Sequence, residues 1–226
     1  MLFTERYDLF VFDLDGTLAD TREDIAASLN YAVSTLGRPQ FDLETVTGYI
    51  GNGAPVLLRR ALGAEAAQAE VEKGLRLFLE HYAGHCLDRT VLYPGVERTV
   101  EMLAEAGKKL AVLTNKPTAM SLTILSALGI GKRFLRIDGG DRHPAKKPDP
   151  TGLREIVAAL GAGPERTLMV GDSGVDIATA RAARTAAAGV LWGFKPREVL
   201  IDPPEHVLES MEELLLPIRP PPDRLP

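Results

Sequence analysis

The stretch Tyr7-Asp8-Leu9-Phe10-Val11-Phe12-Asp13-Leu14-Asp15-Gly16-Thr17-Leu18 is an apolar run that ends in two carboxylates and a glycine. Residues 7–12 read as a short strand buried on both faces, the condition of a parallel sheet covered by helices. Residues two apart in a strand share a face. Where this run leaves the sheet, Asp13 and Asp15 can therefore converge on one point. That point lies at the C-terminal edge, where open α/β sheets bind their ligands. Gly16 suits a positive φ angle, so the segment alone would also fit an acidic turn. A chance Asp-x-Asp-Gly-Thr in a chain this long is expected on the order of a few times in a thousand sequences.

Working outward, three more apolar runs end in polar residues: 110–113 before Thr114, 134–137 before Asp138, and 168–170 before Gly171 and Asp172. A fifth strand is expected at 187–191. Helical patterns alternate with them. One carries Val96, Val100 and Leu103 and stops at Gly107. A second opens at Pro117, carries Ile124, Leu125 and Leu128, and stops at Gly129; a third carries Leu153, Ile156, Val157 and Leu160 before Gly161. The alternation predicts an α/β protein, a Rossmann-like parallel sheet with helices on both faces.

The interval from about residue 20 to 86 breaks this pattern and holds only helices. Ile25, Leu29, Ala32, Val33 and Leu36 form one amphipathic stripe and Val71, Leu75, Phe78, Leu79 and Tyr82 another. The expected organisation is a catalytic core of residues 1–18 and 88–216, a small helical insertion over 19–87, and a Pro-rich tail over 217–226 with five prolines in ten residues.

With 45% hydrophobic and 25% charged residues, the 226-residue chain can bury a core. Its 26 Lys and Arg against 31 Asp and Glu give a charge of -5, which excludes a global basic footprint for nucleic acid. Cys86 is the single cysteine, so neither an intramolecular disulfide nor a Cys-based metal cluster can form. No stretch approaches the ~18–20 apolar residues of a membrane span, and Glu5 and Asp8 precede any long apolar run. The chain is expected to be cytoplasmic, a monomer or homodimer, with no nucleic acid or membrane partner.

Three other segments carry chemistry. In Leu113-Thr114-Asn115-Lys116-Pro117 a strand meets a helix N-terminus, which offers N–H groups to an anion, although a plain helix cap has the same composition. Lys146-Lys147-Pro148-Asp149-Pro150 precedes another helix, and alone its lysines would read as solvated loop charges. In Leu168-Met169-Val170-Gly171-Asp172-Ser173-Gly174-Val175-Asp176 an apolar strand delivers Asp172 to the same sheet edge. Asp176 follows one helical turn later on the same face, and a capping role for Asp172 is the ordinary alternative.

The ordered set Asp13-x-Asp15-Gly16-Thr17, Thr114, Lys147 and Gly171-Asp172-x3-Asp176 resembles the haloacid dehalogenase superfamily. The helical insertion is similar to that superfamily's helical cap. Gly51-Asn52-Gly53-Ala54-Pro55, Tyr93-Pro94-Gly95-Val96, Thr114-Asn115-Lys116-Pro117 and Lys147-Pro148-Asp149-Pro150 look like its bacterial phosphoglycolate phosphatase branch.

The resemblance implies a Mg²⁺-dependent phosphomonoesterase for a small phosphorylated metabolite, 2-phosphoglycolate first. It implies as metal ligands the Asp13 carboxylate, the Asp15 main-chain carbonyl and the Asp172 carboxylate, with Asp176 among or just behind them. The charges agree: four carboxylates around a phosphate dianion need a cation, since two charges 4 Å apart repel by ~4 kcal/mol at an effective dielectric of ~20. By the same resemblance Asp13 is the nucleophile that becomes an aspartyl phosphate, Asp15 the acid and base, and Thr114, Asn115 and Lys147 the holders of the phosphoryl oxygens.

The alternatives are a sugar-phosphate mutase, another small-molecule phosphatase of the same fold, or a non-catalytic phosphate-sensing module. The intact Asp13 and Asp15 argue against the last. The helical insertion is the segment large enough to close over the site and select the leaving group, with Asn52 and Arg59 as candidate substrate contacts. Arg59 and Arg60 suit a solvated helix face as well. His81 and His85 are spaced i, i+4 but lack the glutamate of a zinc helix and a third ligand, so no metal site is read there.

Overall fold

The computed structural model describes residues 1–218. Most of the expected Pro-rich tail, residues 219–226, lies outside the described residues. Its first two residues run beside the N-terminus: Leu2 bridges Pro217, and the Ile218 amide donates to the Met1 carbonyl at 3.0 Å.

In chain order the strands are β1 (Leu9–Phe12), β2 (Ala19–Asp20), β3 (Val91–Leu92), β4 (Lys109–Leu113), β5 (Arg136–Asp138), β6 (Thr167–Gly171), β7 (Ala186–Val190) and β8 (His206–Leu208). The helices are α1 (Phe3–Arg6), α2 (Arg22–Thr35), α3 (Leu43–Tyr49), α4 (Ala54–Leu62), α5 (Gln68–His85), α6 (Val96–Glu105), α7 (Thr118–Ala127), α8 (Thr151–Ala159), α9 (Gly174–Ala183) and α10 (Pro196–Ile201). Short 3₁₀ turns complete the described chain.

The main sheet has the order β5-β4-β1-β6-β7-β8, and every pairing in it is parallel. Chain direction across the sheet reverses between β1 and β6, so a crevice opens beyond their carboxyl ends. The alternation of side chains sorts two apolar layers. Phe10 and Phe12 with Leu110, Val112, Leu168 and Val170 face α6 and α7, while Leu9 and Val11 with Ala111, Leu113 and Met169 face α8 and α9. The doubly covered parallel sheet expected from the apolar runs is borne out. β8 was not anticipated, because three residues beginning with His206 carry no apolar run.

The helices α2 to α5 lie between β2 and β3, which form a two-stranded antiparallel ribbon pairing Ala19 with Leu92 and Asp20 with Val91. Within the insertion α2 packs on α5, burying Leu29 and Val33 with Val71, Phe78 and Tyr82.

The two chain crossings are tied by one buried carboxylate. Asp24, in the first turn of α2, accepts from the Arg89 amide at 3.0 Å and from the Thr90 amide and hydroxyl at 2.9 and 2.7 Å. Removing it leaves the buried Thr90 donors and the half-buried Arg89 amide unpaired. Asp24→Ala is expected to cost about 3 kcal/mol, a fall in melting temperature of about 6–12 °C for a chain of this size. Thermal unfolding followed by circular dichroism measures this, and an unchanged Tm would mean that the crossing is held by other contacts.

Candidate active site

Three parallel strands end side by side and deliver the polar residues. Asp13 follows β1, Thr114 follows β4, and Asp172 follows β6. The backbone enters the site through exchanges between these ends: the Asp13 amide donates to the Val170 carbonyl at 2.9 Å and the Thr114 amide to the Asp138 carbonyl at 3.0 Å.

Asp13, Asp172 and Asp176 are all buried, and an oxygen from each lies within 4.8 Å of the others. Lys147 stands among them, its Nζ 2.6 Å from Asp176 Oδ1 and 2.9 Å from Asp13 Oδ1. Burial alone would lower the Lys147 ammonium, but Asp13 and Asp176 hold it above the usual lysine value. The Asp13 contact is off the hydrogen-bonding direction, so Asp13 Oδ1 is buried without a hydrogen-bond partner. Burial pushes the Asp13 carboxyl up to about 6, with repulsion from Asp176 and Asp15 adding to it and Lys147 opposing it. Burial likewise pushes Asp172 well above the carboxylate range, helped by Asp176 and Asp13.

Such a set is short of positive charge. An orphaned carboxylate oxygen beside a second buried carboxylate fits a hard divalent cation held by oxygen ligands. Asp176 is the least free of the three. Its Oδ1 takes Lys147, and its Oδ2 accepts the Ser173 hydroxyl at 2.6 Å and amide at 3.2 Å. Asp172 gives Oδ2 to the Phe194 amide at 2.6 Å.

Asp15 sits across the cleft and is only partly buried. Its carboxylate accepts the Thr21 hydroxyl at 2.7 Å and the Lys116 ammonium at 2.8 and 3.1 Å. Gly16 lets Asp15 and Asp172 share this space. It has φ +83°, and a Cβ there would meet Asp172 Oδ2 at 2.2 Å.

A partly enclosed cavity with about 510 Å³ of atom-free space, its mouth included, opens between the helical insertion and the sheet edge. Asp13, Asp15, Thr114, Asn115 and Lys116 form its polar wall. Thr114 Oγ1 accepts from the Lys116 amide at 3.3 Å, and the residue lines the cavity.

Asn115 lines the cavity while its side chain is engaged by neighbouring backbone. Its Oδ1 accepts the Lys147 amide at 2.9 Å, and its Nδ2 donates to the Lys147 carbonyl at 3.1 Å and the Gly51 carbonyl at 2.9 Å. The side chain thus buttresses the Lys147 loop and the insertion. The start of α7 is also occupied, since the Thr118 amide donates to Asp141 Oδ1 at 2.8 Å.

From the insertion, Gly51, Gly53, Ala54 and Leu57 line the cavity; Asn52 and Arg59 do not. Asn52 Oδ1 accepts from Arg60 at 2.9 Å, and Arg59 donates to the Ala66 carbonyl at 2.7 Å and Gln68 Oε1 at 2.5 Å. Each of these two side chains is spent on holding α4 to its neighbours. Sequence reasoning missed Lys116 and Tyr82 on the cavity wall. Lys116 read as a cap residue of the Thr-Asn-Lys-Pro turn, and Tyr82 as one more member of an apolar stripe.

The sequence matches the haloacid dehalogenase-like hydrolase family over residues 7–184. It is 38% identical over 213 residues to the phosphoglycolate phosphatase of Pseudomonas syringae pv. syringae, covering 92% of this chain and 78% of the relative. It is 40% identical over 216 residues to that of Vibrio parahaemolyticus, covering 92% and 94%. A crystal structure described as a predicted phosphoglycolate phosphatase from Haemophilus somnus 129pt superposes with a TM-score of 0.89 at 34% identity, covering 93% of this chain and 97% of that one. The chain belongs to the haloacid dehalogenase-like hydrolase family.

The crowding at Gly16 gives a direct test. In Gly16→Ala the added Cβ must displace Asp172 or break the turn. Divalent-cation affinity is expected to weaken by about 10–100-fold, with far-UV circular dichroism unchanged. Calorimetric titration measures it, and wild-type affinity in the variant would show that Asp172 has slack to move.

Proposed function

We propose that this chain is a phosphoric monoester hydrolase that uses Mg²⁺ and the Asp13 carboxylate to cleave a small phosphorylated metabolite, 2-phosphoglycolate first among them. The observation that carries it is the pairing at Asp13: a buried carboxylate oxygen without a hydrogen-bond partner, 2.9 Å from the Lys147 ammonium and in a common cluster with Asp172 and Asp176. An Asp so placed is held ready for attack, with a cation beside the point where phosphoryl charge must be borne. Relatives at 38–40% identity carry the name phosphoglycolate phosphatase.

The steps follow from the residues. An Asp13 oxygen attacks phosphorus in line with the ester oxygen, the P–O ester bond breaks, and Asp15 gives its proton to the departing alkoxide. Asp15 then takes a proton from a water molecule that attacks the Asp13 phosphoryl group, releasing phosphate and restoring the Asp13 carboxylate. Lys147 and the Thr114 hydroxyl hold phosphoryl oxygens through both steps. Bound to Asp13, Asp172 and the Asp15 main-chain carbonyl, with Asp176 behind them, Mg²⁺ would supply charge neutralisation and orientation of the phosphoryl group. A single buried cysteine, and no helix among the described residues long and apolar enough to cross a membrane, suit a cytoplasmic location.

Phosphate release from a panel of small esters tests the proposal. Asp13→Asn is expected to drop below detection with the fold intact by far-UV circular dichroism, because the covalent route is removed rather than weakened. Activity is expected to vanish in excess chelator, return with Mg²⁺, and be inhibited by Ca²⁺, whose looser shell draws the nucleophile out of line. Turnover by Asp13→Asn, or full activity in chelator, would overturn the mechanism. Transfer of the phosphoryl group to a second sugar rather than to water would identify a mutase.

A further inference from the structure

Away from Asp13 and Asp15 the cavity is mostly apolar, walled by Ile25, Ile50, Leu57, Phe78 and Met120. Besides Thr114 and Asn115, the polar residues on the cavity are Lys116 and Tyr82. Lys116 is the one cationic side chain lining it among the described residues, with only 4% of its side chain exposed. Its Nζ lies 4.6 Å from the centroid of the Tyr82 ring. Tyr82 is 1% exposed, and its hydroxyl is buried with no hydrogen-bond partner. A buried hydroxyl without a partner is uncommon in folded proteins and calls for an explanation.

We infer that Lys116 and Tyr82 together read an anionic oxygen group, a carboxylate, on the leaving group of the substrate, and so set its selection; this rests on the phosphatase activity proposed above. An ammonium and a hydroxyl on one wall offer donors only an acceptor can satisfy, and the ammonium fixes the preferred sign of that acceptor as negative. In this structure Asp15 takes the ammonium, so two of its hydrogen bonds go to one carboxylate. A second carboxylate entering the cavity shares Lys116 with Asp15 and gives the Tyr82 hydroxyl its missing partner. The apolar remainder of the wall disfavours polyol leaving groups, whose hydroxyls would be stripped of water there without compensation. Asn52 and Arg59, already held by Arg60, Ala66 and Gln68, are not needed for this recognition.

The test is a ratio. Values of kcat/KM are measured for 2-phosphoglycolate and for ethyl phosphate, which keeps a two-carbon leaving group and lacks the carboxylate, in the wild type, Lys116→Met and Tyr82→Phe. The preference for the carboxylate ester is expected to fall about 10–100-fold in Lys116→Met and about 3–10-fold in Tyr82→Phe. Were Lys116 merely a prop for Asp15, its loss would slow both esters alike and leave the ratio untouched; that outcome overturns the inference. Tyr82→Phe keeps the packing of α5 and gives a second, gentler reading. Calorimetric titration of both esters into Asp13→Asn, alone and combined with each substitution, compares their affinities without turnover. If no ester is hydrolysed by the wild type, the phosphatase assignment fails, and this binding ratio still decides whether Lys116 and Tyr82 recognise a carboxylate.

Discussion

Three carboxylates share one buried point with a single ammonium. At the 4.8 Å that bounds the oxygens of Asp13, Asp172 and Asp176, two unit charges repel by about 3–4 kcal/mol at an effective dielectric of ~20. Three such pairs amount to about 10 kcal/mol, as large as the whole stability of many domains. Lys147 answers only part of it. The remainder is relieved by holding protons, which is the sense of Asp13 rising to about 6 and of Asp172 being pushed well above the carboxylate range, or by a bound cation. A site built this way favours the cation, because a cation relieves all three carboxylates together and keeps Asp13 ionised.

Such repulsion is sustained only where the backbone cannot yield. Asp13 and Asp172 sit at the ends of neighbouring central strands, with β1 paired on both sides, by β4 and β6. Moving either carboxylate away would mean breaking ladder hydrogen bonds. The loop that closes over β6 is packed just as tightly: a Cβ on Gly193 would lie 2.3 Å from Asp172 Cβ and 2.4 Å from the Gly16 carbonyl oxygen. Asn115 extends the same rigidity outward, tying the Lys147 backbone to the Gly51 carbonyl of the insertion. Lys195 adds a second tie, from its Nζ to the Gly48 carbonyl at 2.9 Å. Both ties end on backbone carbonyls of one short segment, so the position of the insertion is coupled to the loop that aims the Lys147 ammonium.

The parallel sheet was legible in the sequence because its strands are buried on both faces and therefore spell continuous apolar runs; β1, β4 and β6 announce themselves this way. β8 and the two-residue strands of the ribbon were not legible, since a two-residue strand has no pattern and its pairing is set by partners more than 70 residues away. The carboxylates Asp13, Asp15, Asp172 and Asp176 were legible because short motifs fix them relative to strand ends. Asn52 and Arg59 were singled out by their place in the segment that could close over the site, and place in the sequence does not say where a side chain turns; their hydrogen bonds run along the insertion. Tyr82 was legible only as a stripe member, since a helical pattern assigns a face and cannot reveal that a hydroxyl on that face lacks a partner.

Thr114, Asn115 and Lys116 show how few residues such a site requires. They follow β4 directly, where the chain leaves the sheet, and consecutive side chains there point in different directions. Thr114 lines the cavity, the Asn115 side chain turns to the Lys147 loop and the insertion, and Lys116 reaches to Asp15 and over the Tyr82 ring. One turn thereby faces three surfaces: the cavity beside Asp13, the frame that holds Lys147, and Asp15 with the Tyr82 ring. Lys116 is bonded to Asp15, so the groups proposed for selection and for chemistry adjoin in space as well as in sequence. On the selection proposed for Lys116 and Tyr82, a change of leaving group is met by changing Lys116 and the facing residue of α5, with the strand ends and their carboxylates left in place.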